Sequence, residues 1–217
     1  MELKNRKVAV LGDSITEGVG TTGPDALYHA ILAKKYGWDL YVDGISGTRI
    51  APQRQASENP RFDLDFLSRV KDLPTDAEIV VFFGGTNDFG HGDAPFGKWG
   101  DTTPETFCGA CFRFMKSMLE HNPNAVYVIM TPLHRRSEDS LSGDCKPLPV
   151  ATLSEYVQII RRTAEYMGMP VLDLFKMSGL QPRIPIIQEK YVPDGLHPND
   201  AGQKVIADRL EGFLLSL

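Results

Sequence analysis

Five short apolar runs, separated by stretches of helical period, constrain this chain more than any other feature of its sequence. The runs are 7–12 (KVAVLG), 38–43 (WDLYVD), 78–84 (EIVVFFG), 125–131 (AVYVIMT) and 170–175 (PVLDLF). They are rich in Val, Ile, Phe and Tyr, and three are almost continuously apolar, the pattern of strands covered on both faces. Between them, 24–36 puts Leu27, Ala30 and Ile31 on one helical face, and 104–120 does the same with Phe107, Cys111, Phe114 and Met118. Segment 152–167 aligns Leu153, Val157, Ile160 and Ala164, and 199–216 aligns Ala201, Val205, Leu210 and Phe213. Segment 62–70 reads as a weaker helix. Strands alternating with helices need crossover connections and therefore a parallel sheet. The expectation is an α/β protein in which residues 1–217 form one domain, large enough to bury a core without metals or disulfides.

Charge and cysteine usage narrow the function. The 23 basic and 28 acidic residues leave a net charge of −5, which does not fit the basic footprint of a nucleic-acid binder. No apolar run is long enough for a signal peptide or a membrane span, so the expected location is cytoplasmic, with no membrane partner. Three cysteines, Cys108, Cys111 and Cys145, argue against a disulfide framework. Cys108 and Cys111 have the spacing of half a zinc or redox motif, but no second half exists. On a helix that spacing is one face, so both are expected as buried thiols.

In an open parallel sheet, ligands bind beyond the carboxyl ends of the strands. After the first run comes Gly12-Asp13-Ser14-Ile15-Thr16-Glu17-Gly18, and after the second Gly44-Ile45-Ser46-Gly47-Thr48. After the third comes Gly84-Gly85-Thr86-Asn87-Asp88, and Asp194-Gly195-Leu196-His197-Pro198-Asn199 precedes the last helix. Acyl transfer needs a nucleophile, a base, an orienter for the base and donors for an oxyanion. Ser14 follows a strand on a glycine turn. His197 has Asp194 three residues earlier, in a short turn able to bring carboxylate and imidazole together. Asn87 offers a side-chain N–H₂, and Gly47 permits close backbone approach with a free N–H.

Together GDSITEG, ISGT, GGTND and DGLHPN resemble the four blocks of the GDSL/SGNH serine esterases, in that family's order and spread from residue 14 to residue 197. The resemblance implies a three-layer α/β/α sandwich, flavodoxin-like, with a five-stranded parallel sheet. It also implies a serine esterase that uses no metal or other cofactor. Ser14 would be the nucleophile and a backbone oxyanion donor. Gly47 and Asn87 would supply two further donors, and Asp194 and His197 fill the family's D-x-x-H position. The sequence departs in one place: many members carry Asn five residues before the second-block Gly, where this chain has Val42 followed by Asp43, which bears on the packing around Gly47. The G-x-S-x-G elbow of ordinary α/β-hydrolases is absent.

Two other readings use the same residues. A metal-dependent phosphoesterase would draw on Asp13, Asp88, Asp194 and His197, too few ligands for a hard metal, and would leave Ser14 without a role. A non-catalytic flavodoxin-like nucleotide binder would need a phosphate cradle at the end of the first strand, which Gly12, Gly18 and Gly20 do not provide. The substrate partner expected is a small-molecule or carbohydrate ester with a short acyl group, such as acetyl. Phe89 and Trp99 in the long loop 85–103 are candidate substrate contacts, as is Arg49 after Gly47. The second long loop, 132–151, is a candidate lid or binding loop.

Overall fold

A computed structural model describes residues 1–217. Five parallel strands run in the order β2-β1-β3-β4-β5. They are β1 (Lys7–Gly12), β2 (Asp39–Gly44), β3 (Ile79–Phe83), β4 (Val126–Met130) and β5 (Val171–Leu172). Nine α-helices accompany them: α1 (Ser14–Glu17), α2 (Tyr28–Tyr36), α3 (Phe66–Arg69), α4 (Thr86–Gly90), α5 (Phe107–His121), α6 (Leu153–Tyr166), α7 (Leu174–Met177), α8 (Pro185–Tyr191) and α9 (Asp200–Ser216). The expected α/β/α sandwich is observed.

The sheet divides the core in two because successive strand residues point to opposite faces. Val80 and Phe82 of β3 join Phe66, Phe114, Met118 and Ile160 under α3, α5 and α6. Ile79, Val81 and Phe83 join Tyr28, Leu32, Ile206 and Leu210 under α2 and α9. β3 is therefore buried along its whole length, which explains its unbroken apolar run. At the edge, β2 is only partly covered.

Local chemistry sets the helix starts. The Thr106 hydroxyl accepts from Gly109 N at 3.1 Å, so α5 begins at Phe107 and not at Pro104. Thr152 and Glu155 form a reciprocal capping box at the start of α6. Asn199 caps α9 by accepting from Gly202 N at 3.1 Å. Three expectations need correction. The 24–36 helix is broken: Pro24–Ala26 makes one 3₁₀ turn, Leu27 is extended, and α2 starts at Tyr28. The fifth strand shrinks to two residues because Asp173 turns to cap α7, accepting from Lys176 N. The 62–70 helix is only the short α3 between two 3₁₀ turns. Cys108 and Cys111 are buried in α5 and Cys145 is exposed, all as free thiols.

One buried cation braces the sheet edge that carries the site. Arg69 lies at the end of α3, and its guanidinium pairs with both carboxylate oxygens of Asp43 at 2.9 Å. It also donates to the carbonyls of Gly12 and Asp43 and, at 3.0 Å, to the Thr48 hydroxyl. Arg69 thus ties the ends of β1 and β2 to the turn containing Gly47. It does so beside Val42, which is itself exposed. Arg69→Met would remove a donor from each of these acceptors, although Gly12 O keeps the bond from Ile45 N, and would leave Asp43 without its charge partner. We expect a loss of about 3 kcal/mol or more, the usual result of breaking one side of a buried pair, read from the midpoint of urea unfolding.

Candidate active site

The residues that follow β1 form a tight, capped turn. Asp13 is the N-cap of α1 and accepts from Ile15 N at 3.0 Å, which leaves Ser14 at the first helical position. Its own N–H there has no intrahelical acceptor. Gly18 closes α1 in the left-handed conformation after a single turn. Gly12 packs directly on the Thr16 side chain, where an added Cβ would sit 2.0 Å from Oγ1. Thr16 in turn bonds the hydroxyl of Tyr28 at 3.0 Å. The serine is thereby fixed against both the sheet and α2.

The last turn before α9 brings His197 to Ser14. Ser14 Oγ lies 3.0 Å from His197 Nε2, and His197 Nδ1 lies 2.7 Å from Asp194 Oδ2. The other Asp194 oxygen accepts from Leu196 N at 2.8 Å and from His197 N at 2.6 Å. Burial works against ionisation of Asp194, but these three donors outweigh it and hold its carboxyl below the ordinary range. The carboxylate therefore stays charged while orienting the imidazole.

Gly47 and Asn87 reach the same cavity, of about 370 Å³, as Ser14 and His197. Gly47 has φ +76° and donates its N–H to no protein acceptor. Asn87, on α4, donates from Nδ2 to Thr48 O at 2.9 Å. Its neighbour Asp88 is buried and accepts from Ile50 N and Ala51 N, both at 2.9 Å. Burial raises the Asp88 carboxyl to about 6 in spite of those bonds.

Of the three substrate-contact candidates, the cavity includes one. Arg49 is in its wall, with its guanidinium turned to His91 Nδ1 at 2.8 Å and Phe62 O at 2.8 Å. Phe89 is not a substrate contact. It points from α4 into the core against Tyr156, fully buried. Trp99 lies at a separate depression, edge-on to Tyr166 with the Arg162 guanidinium 4.0 Å from its ring. Loop 132–151 packs behind α4: Arg135 donates to Thr86 O, and Lys146 donates to Asp88 O at 2.6 Å.

Two spacings in the chain acquire a different meaning in the fold. Asp88 and His91 repeat the D-x-x-H spacing of Asp194 and His197, yet Asp88 turns to the 50–51 backbone and His91 Nε2 meets Asn87 Oδ1 at 3.2 Å. Gly18, Gly20 and Gly23 have G-x-G-x-x-G spacing. However, they come after α1 rather than between a strand and a helix, and Gly20 packs beside His197. His91 was not anticipated as part of the site. Its signal was the i, i+4 relation to Asn87, hidden because 85–103 reads as a loop. No sequence pattern pointed to Arg69. No group of three or more His, Cys, Asp or Glu is arranged to hold a metal ion, and no helix is long and apolar enough to cross a membrane.

Comparison with known proteins adds the family. The model of the GDSL-like lipase/acylhydrolase family matches residues 10–205. No curated protein matches the chain. Among solved structures, a protein from Lactobacillus plantarum is 31% identical, covering 98% of each chain with a TM-score of 0.82. The fold also matches the lipase/acylhydrolase from Enterococcus faecalis (18% identity, 94% of this chain and 93% of that one, TM-score 0.64). An acetyl xylan esterase matches at 21% identity over 95% of this chain and 98% of that one, with a TM-score of 0.63.

The buried cap residue gives a pH test. Burial lifts the Asp13 carboxyl to about 6, against its bond from Ile15 N and the nearby His197 and Arg69. A folded pKa above the unfolded value of 3.8 means that the folded state holds the proton more tightly. The stability this contributes is full below about pH 4 and is lost as pH rises through about 6. Asp13→Asn keeps a capping oxygen and removes the ionisation. We expect its melting temperature to exceed the parent's at neutral pH, with the gap closing below about pH 4. Removing the Asp13 charge also relieves its repulsion of Asp88, which acts in the same direction. A pH-independent gap would contradict ionisation of Asp13.

Proposed function

Because the chain belongs to the GDSL-like lipase/acylhydrolase family and is an ester hydrolase, we propose that it works as a serine esterase, with Ser14, His197 and Asp194 as its triad. The observation that carries this reading is the unbroken line from Ser14 Oγ through His197 to Asp194, at 3.0 and 2.7 Å. His197 Nε2 takes the Ser14 proton as Oγ attacks the ester carbonyl carbon. The oxygen of the tetrahedral intermediate receives hydrogen bonds from Ser14 N, Gly47 N and Asn87 Nδ2. As the intermediate collapses, the bond to the alcohol oxygen breaks and His197 hands that oxygen its proton. Water, deprotonated by His197, then attacks the acyl-serine. Carboxylic acid leaves and Ser14 regains its hydrogen. Asp194 stays ionised throughout and stabilises the imidazolium. All of these groups lie in residues 1–217, which we take as one catalytic domain.

The substrate reading rests on the cavity wall. Only Val19, Phe62 and Leu196 are apolar, while Ser46, Ser57 and Asp144 add hydroxyl and carboxylate groups. That mainly polar lining suits a small acyl group on a polyhydroxylated alcohol better than a long hydrocarbon chain. We therefore assign acetyl or similarly short esters of carbohydrate-like alcohols. The acetyl xylan esterase that shares the fold is consistent with this class.

Removing the nucleophile tests the reaction. Ser14→Ala should fold normally and lose ester hydrolysis by a factor on the order of 10⁴–10⁶. Near-parental turnover by the folded variant would overturn the assignment. Chain length tests the substrate class: on a p-nitrophenyl ester series, kcat/KM should be highest at acetate and fall steadily with chain length. A preference for octanoate would contradict the short-acyl reading.

A further inference from the structure

The cavity wall beside Ser14 contains a line of three side chains from two segments. Arg49 Nη1 is 2.8 Å from His91 Nδ1, His91 Nε2 is 3.2 Å from Asn87 Oδ1, and Asn87 Nδ2 is 2.9 Å from Thr48 O. The hydrogen positions follow from the donor inventory. A guanidinium only donates, so Nδ1 of His91 accepts and the ring proton resides on Nε2. That N–H donates to Asn87 Oδ1. The Thr48 carbonyl only accepts, so it takes one hydrogen of the Asn87 amide. One amide hydrogen is left over, on a side chain that lines the cavity.

We propose that His91, held in its Nε2–H tautomer by Arg49, is a positioning residue that keeps the Asn87 amide turned with its nitrogen, not its oxygen, toward the substrate oxyanion. This rests on the reading of Asn87 as an oxyanion donor. An amide is nearly symmetric in shape, and its reversal would aim a lone pair at the developing negative charge. Reversal here would set Oδ1 against Thr48 O and the amino group against the His91 N–H. Thr48 alone holds one hydrogen but leaves Oδ1 without a partner and able to swing toward the cavity. His91 occupies that oxygen.

Arg49 is suited to the task because it is immobile. It is 3% exposed, donates from Nη2 to Phe62 O at 2.8 Å, and lies 3.6 Å from the Asp63 carboxylate. A guanidinium fixed in this way serves poorly as a mobile clamp on substrate and well as a fixed donor to Nδ1. His91 also remains neutral. Burial first, then the charge of Arg49, pushes its pKa down to about 4, with Arg135 and Lys146 acting in the same direction and Asp144 opposing. A protonated ring would lose the bond from Arg49.

A double-mutant cycle on kcat and KM with p-nitrophenyl acetate tests this, with melting temperatures measured alongside. His91→Leu should lower kcat on the order of tenfold, less than the ~10²–10³ of losing the Asn87 donor outright, with KM little changed. His91→Gln can accept from Arg49 and donate to Asn87, and should recover most of kcat. In an Asn87→Ala background, His91→Leu should cost nothing further. An equal loss in that background, or a change in KM alone, overturns the positioning role. If Asn87→Ala slows turnover but His91→Leu does not, this inference fails and the oxyanion reading stands. If Asn87→Ala leaves kcat unchanged, the oxyanion reading fails as well. Should the Leu variant not fold, His91→Met runs the same cycle.

Discussion

Asn87 and Asp88, adjacent on α4, grip the backbone that follows β2, and the geometry of the site depends on that grip. Asn87 donates to the carbonyl of Thr48, while Asp88 accepts from the N–H groups of Ile50 and Ala51. Two of the three groups proposed to receive an oxyanion, Gly47 N and Asn87 Nδ2, come from the ends of different strands separated by β1. Strand pairing alone does not set their distance. The clamp does, and Arg69 braces the same turn from the side of β1. Donors fixed before charge develops need no reorganisation when it does, which is the main source of their catalytic worth.

The clamp is expensive in charge. Asp13, Asp88, Arg49 and Arg69 are all buried within this one edge of the sheet. Each desolvated ion costs free energy that only bonds and opposite charges recover. Both acids have carboxyls lifted to about 6, so that recovery is incomplete. Two apolar clusters flank the sheet, and in one of them Phe66, Phe82 and Phe114 pack together, with Phe82 edge to face against both of the others. That apolar packing supplies the surplus that lets the strand ends hold charges water would otherwise solvate.

How much of this was visible in the sequence varied with the range of the interaction. Strands β1, β3 and β4 announced themselves because burial on both faces demands continuous apolar runs. The long helices α5, α6 and α9 showed their period. The short elements α1, α4, α7 and α8 did not, and α3 showed only as part of the longer 62–70 segment, since four to seven residues carry too little periodicity to separate from a turn. The proposed triad positions and the three oxyanion candidates, Ser14, Gly47 and Asn87, were legible as blocks at strand ends, and they do line or adjoin one cavity. Phe89 and Trp99 lie outside the cavity lining: an aromatic near Asn87 in sequence carries no information about its direction. α4 turns Phe89 inward by geometry alone. His91 and Arg69 stayed hidden because their partners, Arg49, Asp43 and Gly12, are 26 to 57 residues away.

The proposed base and its orienter, His197 and Asp194, sit in a single turn, three residues apart, whereas the proposed nucleophile, Ser14, is 183 residues distant in sequence. The internal geometry of the Asp194–His197 unit is therefore local, and it survives any rigid displacement of the turn that carries it. What varies is one separation, Ser14 to His197. The turn is tethered by Arg136 N to Gly195 O at 2.9 Å and by Asn199 N to Tyr191 O at 2.9 Å. An activity loss caused by loosening those tethers would thus look like a proximity defect, with an intact hydrogen-bonded Asp194–His197 unit parked out of range, rather than like a damaged acid–base couple.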